Sequence, residues 1–215
     1  TLYVADLENH KIRKIIVATG VATTLAGVGT AGSADGAAGS ATFNQPSGLA
    51  LTSDNAHLYV ADSNNHKIRK VITATGVVST VAGSGSSGAA DGAAGSATFN
   101  NPPKMALSSD NAYLYVTDLF NHKVRKVTVA TGAVSTLAGS SSSGSADGAA
   151  GSASFDRPHG ITITSDNAYL YVVDMWNYKI RVVATATGAV STLAGSGSAG
   201  SADGAAGSAA FSRPH

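Results

Sequence analysis

Apolar and polar residues alternate along this chain in short bursts, each closed by turn residues. Residues 48–52 read Gly-Leu-Ala-Leu-Thr, one apolar residue every second position, and Ser-Asp-Asn-Ala after them supplies a tight turn. Residues 58–61 form a second apolar run, closed by the polar Asp62-Ser63-Asn64-Asn65. Residues 66–72 alternate basic and apolar side chains, Thr-Ala-Thr-Gly turns the chain, and residues 77–82 make a fourth run. A Gly/Ser/Ala loop over 83–101 follows, and Pro102 is expected to stop ladder pairing before the next strand. The apolar runs are short, bounded by turn residues and rich in alternation, so the pattern predicts an all-β chain.

The same pattern occurs four times. Its aspartate falls at Asp6, Asp62, Asp118 and Asp174, a step of 56 residues, and Tyr3/59/115/171, Phe43/99/155/211 and Pro46/102/158/214 keep that step. Four short antiparallel strands and a long connection, repeated at this interval, are the signature of four-stranded propeller blades. The repeats are expected at about 1–47, 48–103, 104–159 and 160–215, together one repeat domain. The first would lack its opening strand, and no opening strand follows the last. That predicts either a segment of a longer array or ring, or a unit completed by a strand from a neighbour.

Asn9-His10-Lys11-Ile12, Asn65-His66-Lys67-Ile68 and Asn121-His122-Lys123-Val124 resemble the NHL repeat, named for Asn-His-Leu at the start of a blade's third strand. The preceding Leu-Tyr-Val-Ala-Asp and the Phe-x-x-Pro before each repeat (Phe43 to Pro46, Phe155 to Pro158) fit too. The fourth copy departs, with Asn177-Tyr178-Lys179. The resemblance implies a β-propeller. Among similar propellers are metal-dependent lyases acting on peptidyl substrates, with histidines at the channel mouth, and RNA-binding modules.

Composition narrows these options. Net charge is +1 and charged residues make up 13% of the chain, so no general attraction to nucleic acid or membrane is implied. The chain has no cysteine, hence no disulfides or thiolate chemistry, and no run nears the roughly 20 apolar residues of a membrane span. The compartment is left open, although near-identical repeats suit a secreted fibre or extracellular surface array. Eleven of the fourteen Lys and Arg lie in the third strand of each repeat, as in Lys11, Arg13 and Lys14. Without aromatic residues between them to stack bases, they read as a solvated, ion-paired outer blade and not as a nucleic-acid site.

Polar residues present in every copy read as frame. Asp6, Asp62, Asp118 and Asp174 should accept from the amides of the adjoining turn and pair with Arg13, Arg69, Arg125 and Arg181 across the hairpin. His10, His66 and His122 should pack and hydrogen-bond, since ligands spread one per blade do not converge on a metal. The Asp35, Asp91, Asp147 and Asp203 loops each offer one carboxylate, short of the six to eight oxygens of calcium. They also lack the lysine and helix of a phosphate cradle. A compact loop held by its own Asp-Gly turn is expected there, with no cofactor or metal.

Positions where the copies differ carry the candidate function. Within the Asp-x-x-Asn turn they read Leu7-Glu8, Ser63-Asn64, Leu119-Phe120 and Met175-Trp176, and around the prolines they include Lys104, Arg157, His159, Arg213 and His215. In an up-and-down blade both sets emerge on one face, and apolar residues in a tight turn are good anchors for a partner. The expectation is a non-catalytic scaffold that binds protein, or its own kind, through this face. Lys104, Arg157, His159, Arg213 and His215 could alternatively hold an anionic ligand at a channel, or mark a lyase. No carboxylate dyad or nucleophile–base pair accompanies them.

Overall fold

Alternation of β-branched or aromatic residues with small or polar ones produces fifteen strands in the computed structural model, which describes residues 1–215. In chain order they are β1 (Leu2–Asp6), β2 (Lys11–Ile15), β3 (Ala22–Ala26), β4 (Pro46–Leu51), β5 (His57–Asp62), β6 (Lys67–Ile72) and β7 (Val78–Ala82). The remainder are β8 (Met105–Leu107), β9 (Tyr113–Asp118), β10 (Lys123–Thr128), β11 (Val134–Ala138), β12 (Pro158–Ile163), β13 (Tyr169–Asp174), β14 (Lys179–Ala184) and β15 (Val190–Ala194). Each sheet is an antiparallel meander: β4-β5-β6-β7, β8-β9-β10-β11 and β12-β13-β14-β15 have four strands, and β1-β2-β3 has three. The all-β expectation holds, and the repeats are blades of the β-propeller type.

The chain divides into two compact units, Thr1–Pro103 with Val129–Ala133, and Lys104–Thr128 with Val134–His215. In the first, Leu58, Val60 and Val71 of one sheet pack with Ile12, Leu25 and Ala26 of the other and with Phe43 from the long loop. In the second, Phe155 plays the same part among Val124, Ala138, Leu170, Val172 and Val183. Phe43 and Phe155 are fully buried. Each such ring stabilises by about 1.5–3 kcal/mol, which ties the loop down.

Two local features differ from the sequence reading. Pro102 lies outside the ladder as expected, β8 starting only at Met105, but its equivalents Pro46 and Pro158 open β4 and β12, opposite Asp62 and Asp174, and an irregularity follows before pairing resumes at Leu49 and Ile161. Proline is tolerated there because it is the first residue of its strand. The Asp-x-x-Asn turn is a single 3-10 turn in three repeats (Ser63–Asn65, Leu119–Asn121, Met175–Asn177), ended by a left-handed residue. That residue is His10, His66, His122 or Tyr178, each with φ of 53–55°.

Candidate functional site

The third strand of each blade alternates until a register shift between Ile68 and Arg69 turns both inward. Arg69 is wholly buried, and so are Arg125 and Arg181. The expected solvated basic strand is therefore corrected in three of the four blades: Arg69, Arg125 and Arg181 lie inside, whereas Arg13 and the lysines keep access to water. Arg69 Nη1 donates to Asp62 Oδ2 at 2.6 Å and to the Thr42 carbonyl, and Nη2 donates to the Ala34 carbonyl and to Asp35 Oδ1 at 2.6 Å. Its guanidinium sits 5.3 Å from the Phe43 ring centre. Arg181 repeats the arrangement with Asp174 at 2.6 Å, Asp147 at 2.7 Å and Phe155 at 5.2 Å. A buried guanidinium needs this many acceptors to offset its lost hydration.

The aspartates of the frame are thus explained, with one correction. Asp62 takes its backbone donor from Asn44 of the long loop (2.7 Å), not from its own turn, and Asp174 takes one from Asp156 (2.7 Å). Burial pushes both carboxyls above the ordinary carboxylate value, opposed by these amides, the Asn65 or Asn177 side chains and the arginines.

A second correction concerns the Asp-Gly-Ala-Ala-Gly loop. The loop does close on itself, the Ala41 amide donating to Ala37 and the Thr42 amide to Ala34, but Asp35 takes no part in that turn: it reaches forward to the next repeat, accepting from Arg69, from the Thr80 amide at 2.9 Å and from the Thr80 hydroxyl. Gly36 and Val78 exchange backbone hydrogen bonds beside it. Burial alone would raise Asp35 and Asp147, yet the arginine and threonine donors outweigh it and hold both below 3.8. The loop is a latch between consecutive blades, and these two carboxylates are already engaged.

The histidines make a contact that the sequence did not suggest. His10 Nδ1 accepts from the Gln45 amide, His66 Nδ1 from Asn101 and His122 Nδ1 from Arg157, at 3.1, 3.1 and 3.2 Å. Each therefore fixes the backbone that carries a variable residue.

The variable positions form a ladder, in which the second letter of a turn meets the residue before the proline. In the first unit the rungs are amides and a carboxylate: Gln45 to Glu8, Asn64 to Gln45, Asn101 to Asn64. In the second unit Arg157 lies 5.5 Å from the Phe120 ring centre and 4.3 Å from Trp176, and Arg213 lies 5.2 Å from Trp176. Phe120 and Trp176 remain 46% and 38% exposed, so the stack faces solvent. Only the second letters do so consistently: Ser63 is buried, donating to the Pro102 carbonyl, and Leu119 and Met175 are half-buried, whereas Leu7 is exposed.

Residues 43–71 match the NHL repeat family, a stretch that holds Phe43, Pro46, Asp62, His66 and Arg69 of the frame just described. The repeat is an NHL repeat. NHL repeat-containing protein 2 of Bos taurus is 32% identical over 228 residues, covering 91% of this chain and 31% of that protein. The chain spans under a third of the length of such curated relatives. An auxiliary nutrient binding protein from Bacteroides thetaiotaomicron superposes with a TM-score of 0.70 at 20% identity, over 88% of this chain and 44% of that one. Virginiamycin B lyase from Staphylococcus aureus does so at 0.54 and 16%, over 88% and 50%. At such identities these structures speak for the fold alone.

Within the second NHL unit three other predicted residues come together. The rings of His159 and His215 stand edge to face, 6.1 Å between centres, and Lys104 acts on His159 electrostatically. His159 Nδ1 is buried without a hydrogen-bond partner. Burial first, then Lys104 and His215, lowers the pKa of His159 from 6.5, so the ring is neutral at pH 7. No three His, Asp or Glu side chains converge as metal ligands would.

Proposed function

We propose that this NHL-repeat chain is a non-catalytic interaction module that binds a carboxylate-bearing segment of a protein partner through the Phe120–Arg157–Trp176–Arg213 ladder. The observation behind this reading is Arg157, stacked against Trp176 at 4.3 Å while both belong to an exposed face. Stacking holds the guanidinium plane in place, so little freedom is lost when a carboxylate takes its free edge. The rings beside it offer apolar area of the kind that dominates binding energy. Glu8, Gln45, Asn64 and Asn101 occupy the equivalent positions of the first unit and satisfy one another, leaving that stretch of the face without such anchors.

Trp176 is the only tryptophan, so its fluorescence reports on this face directly. Titration with acidic, aromatic-containing peptides is expected to shift the emission saturably, and Arg157→Ala to weaken the response about tenfold. Unchanged emission across acidic and neutral peptide sets, or binding indifferent to Arg157→Ala, would overturn the proposal.

A second reading rests on the unpartnered Nδ1 of His159, next to Lys104 and His215. A small oxyanion there would accept from Lys104 and from His159 once protonated. Its affinity should rise as pH falls below 6.5, and isothermal titration with inorganic phosphate at two pH values, before and after His159→Ala, distinguishes it from the peptide face.

A further inference from the structure

Arg157, a cation of the ladder, stands on backbone that its own sequence disfavours. Its φ is 54°, in the left-handed region that a residue with a Cβ seldom adopts. Pro158 follows it, and a residue before proline is pushed towards extended backbone. The conformation is held from outside: the Arg157 amide donates to His122 Nδ1 at 3.2 Å, and the guanidinium rests on Trp176 and Phe120. His122 itself ends the 3-10 turn that carries Phe120. One ring nitrogen thus ties the turn of Phe120 to the backbone of Arg157.

An imidazole accepts through Nδ1 only while that nitrogen carries no proton, and imidazoles ordinarily take one up between pH 8 and pH 5. Once protonated there, His122 sets an N–H against the N–H of Arg157. A carboxylate stands ready for the charged ring, Asp156 Oδ1 at 3.5 Å from Nδ1. Asp156 stays in place, because its amide donates to Asp174 and its carbonyl accepts from the Trp176 amide. The other charged groups around His122 are Lys123, which disfavours the proton, and Asp118, which is buried and bound to Arg125 at 2.6 Å and Asn121 at 2.9 Å. Only the third repeat is built this way. Asn44 and Asn100 hold the place of Asp156 in the repeats of His10 and His66, and the fourth copy has Tyr178 and Ser212. Arg213 keeps a φ of 47° in that fourth copy, so left-handed backbone survives without an imidazole; what unseats it is an opposed N–H.

We infer that His122 and Asp156 form an acid-operated release of the Arg157–Trp176 stack, in which His122 Nδ1 takes a proton from solvent and turns from the Arg157 amide to Asp156. Arg157 then leaves the left-handed region, its guanidinium comes off Trp176, and a carboxylate held on its free edge is let go. Asp156 cancels the new charge, so the proton adds no attraction for an anionic partner. What is released rests on the peptide-binding reading, whereas the movement of Arg157 does not.

Two near-isosteric variants test this. In His122→Asn the side-chain oxygen takes the place of Nδ1 and never titrates, and asparagine tolerates left-handed backbone. Asp156→Asn puts in the residue that the first two repeats carry. Affinity for an acidic, aromatic-containing peptide, followed by Trp176 emission, is expected to fall about tenfold from pH 7.5 to pH 5.5, where the peptide carboxylates are still ionised. Whatever its affinity at pH 7.5, His122→Asn should hold it to within about twofold at pH 5.5, and Asp156→Asn should need a lower pH for the same loss. Equal affinity of the unaltered chain at both pH values, or a loss that His122→Asn retains in full, overturns the inference. If no acidic peptide binds at either pH, the peptide-binding reading fails by itself, and the Trp176 emission of the free chain decides. A step between the two pH values that His122→Asn abolishes upholds the release, and the lack of such a step overturns it.

Discussion

Arg69 is the residue on which most of a blade converges, since it binds two carboxylates and two carbonyls while stacked near Phe43. Its replacement by methionine leaves Asp62 buried without a cation, a change that costs about 3–5 kcal/mol. The same change at Arg13, which is partly exposed and 3.2 Å from Asp6, should cost about 0–1 kcal/mol. Chemical denaturation of the two variants measures the contrast, and equal losses would contradict the burial argument. The sequence revealed half of this group. Asp62 and Arg69 face each other across a hairpin, so their pairing is a local matter of strand alternation. The remaining partners, Asp35 and Phe43, come from more than 25 residues upstream, and only tertiary packing reveals them. A basic strand without them reads as solvated, which is why the burial of the arginines was not legible.

At the level of elements, strands and tight turns follow from residue alternation and turn chemistry, and their positions were legible to within a residue or two. The long loops were not, because Gly, Ser and Ala carry little pattern and their conformation is dictated by the neighbouring blade. The Ala-Thr-Gly turns illustrate the difference. Gly20 and Gly76 share a φ of 71° and the same local sequence, but only Gly76 is pressed against a preceding blade, where an added Cβ would meet the Leu25 carbonyl and Ala38. Gly20→Ala should therefore cost only the left-handed conformation, about 1–2 kcal/mol. Gly76→Ala should lose about 1–3 kcal/mol more through overpacking. Thermal or urea midpoints of the two variants give the comparison, and a Gly20→Ala loss as large as that of Gly76→Ala would mean that inter-blade packing at the turn is unimportant. The variable ladder sits between these cases. The sequence identified its members by their divergence, but not that they diverge as contacting pairs, Glu8 with Gln45 and Phe120 with Arg157. Part of that variation is packing between a turn and the following loop, and only its exposed aromatic half is left for a partner.

For the molecule as a whole, the latches make stability depend on acid in a definite direction. Asp35 and Asp147 have pKa values lowered by folding, against the burial that alone would raise them, because arginine and threonine donors favour the ionised form. A carboxylate of this kind adds stability above its unfolded value, near 3.8, and loses it as pH falls through the lower folded value. Asp54, Asp110 and Asp166, lowered first by the neighbouring Thr52, Ser108 and Thr164 hydroxyls, act in the same sense. Asp62 and Asp174 act in the other: burial raises them, so the folded chain takes up their protons first and acid favours it there. Five lowered carboxylates outnumber two raised ones, and the net expectation is a fall in stability as pH drops below about 4. Urea midpoints at pH 5 and pH 3 measure that fall. In the Asp35→Asn, Asp147→Asn double variant the chain should be weaker at pH 5 and its fall towards pH 3 should be smaller, since two of the titrating latches are gone. If the variant retained the full acid dependence, the latches would not be its source.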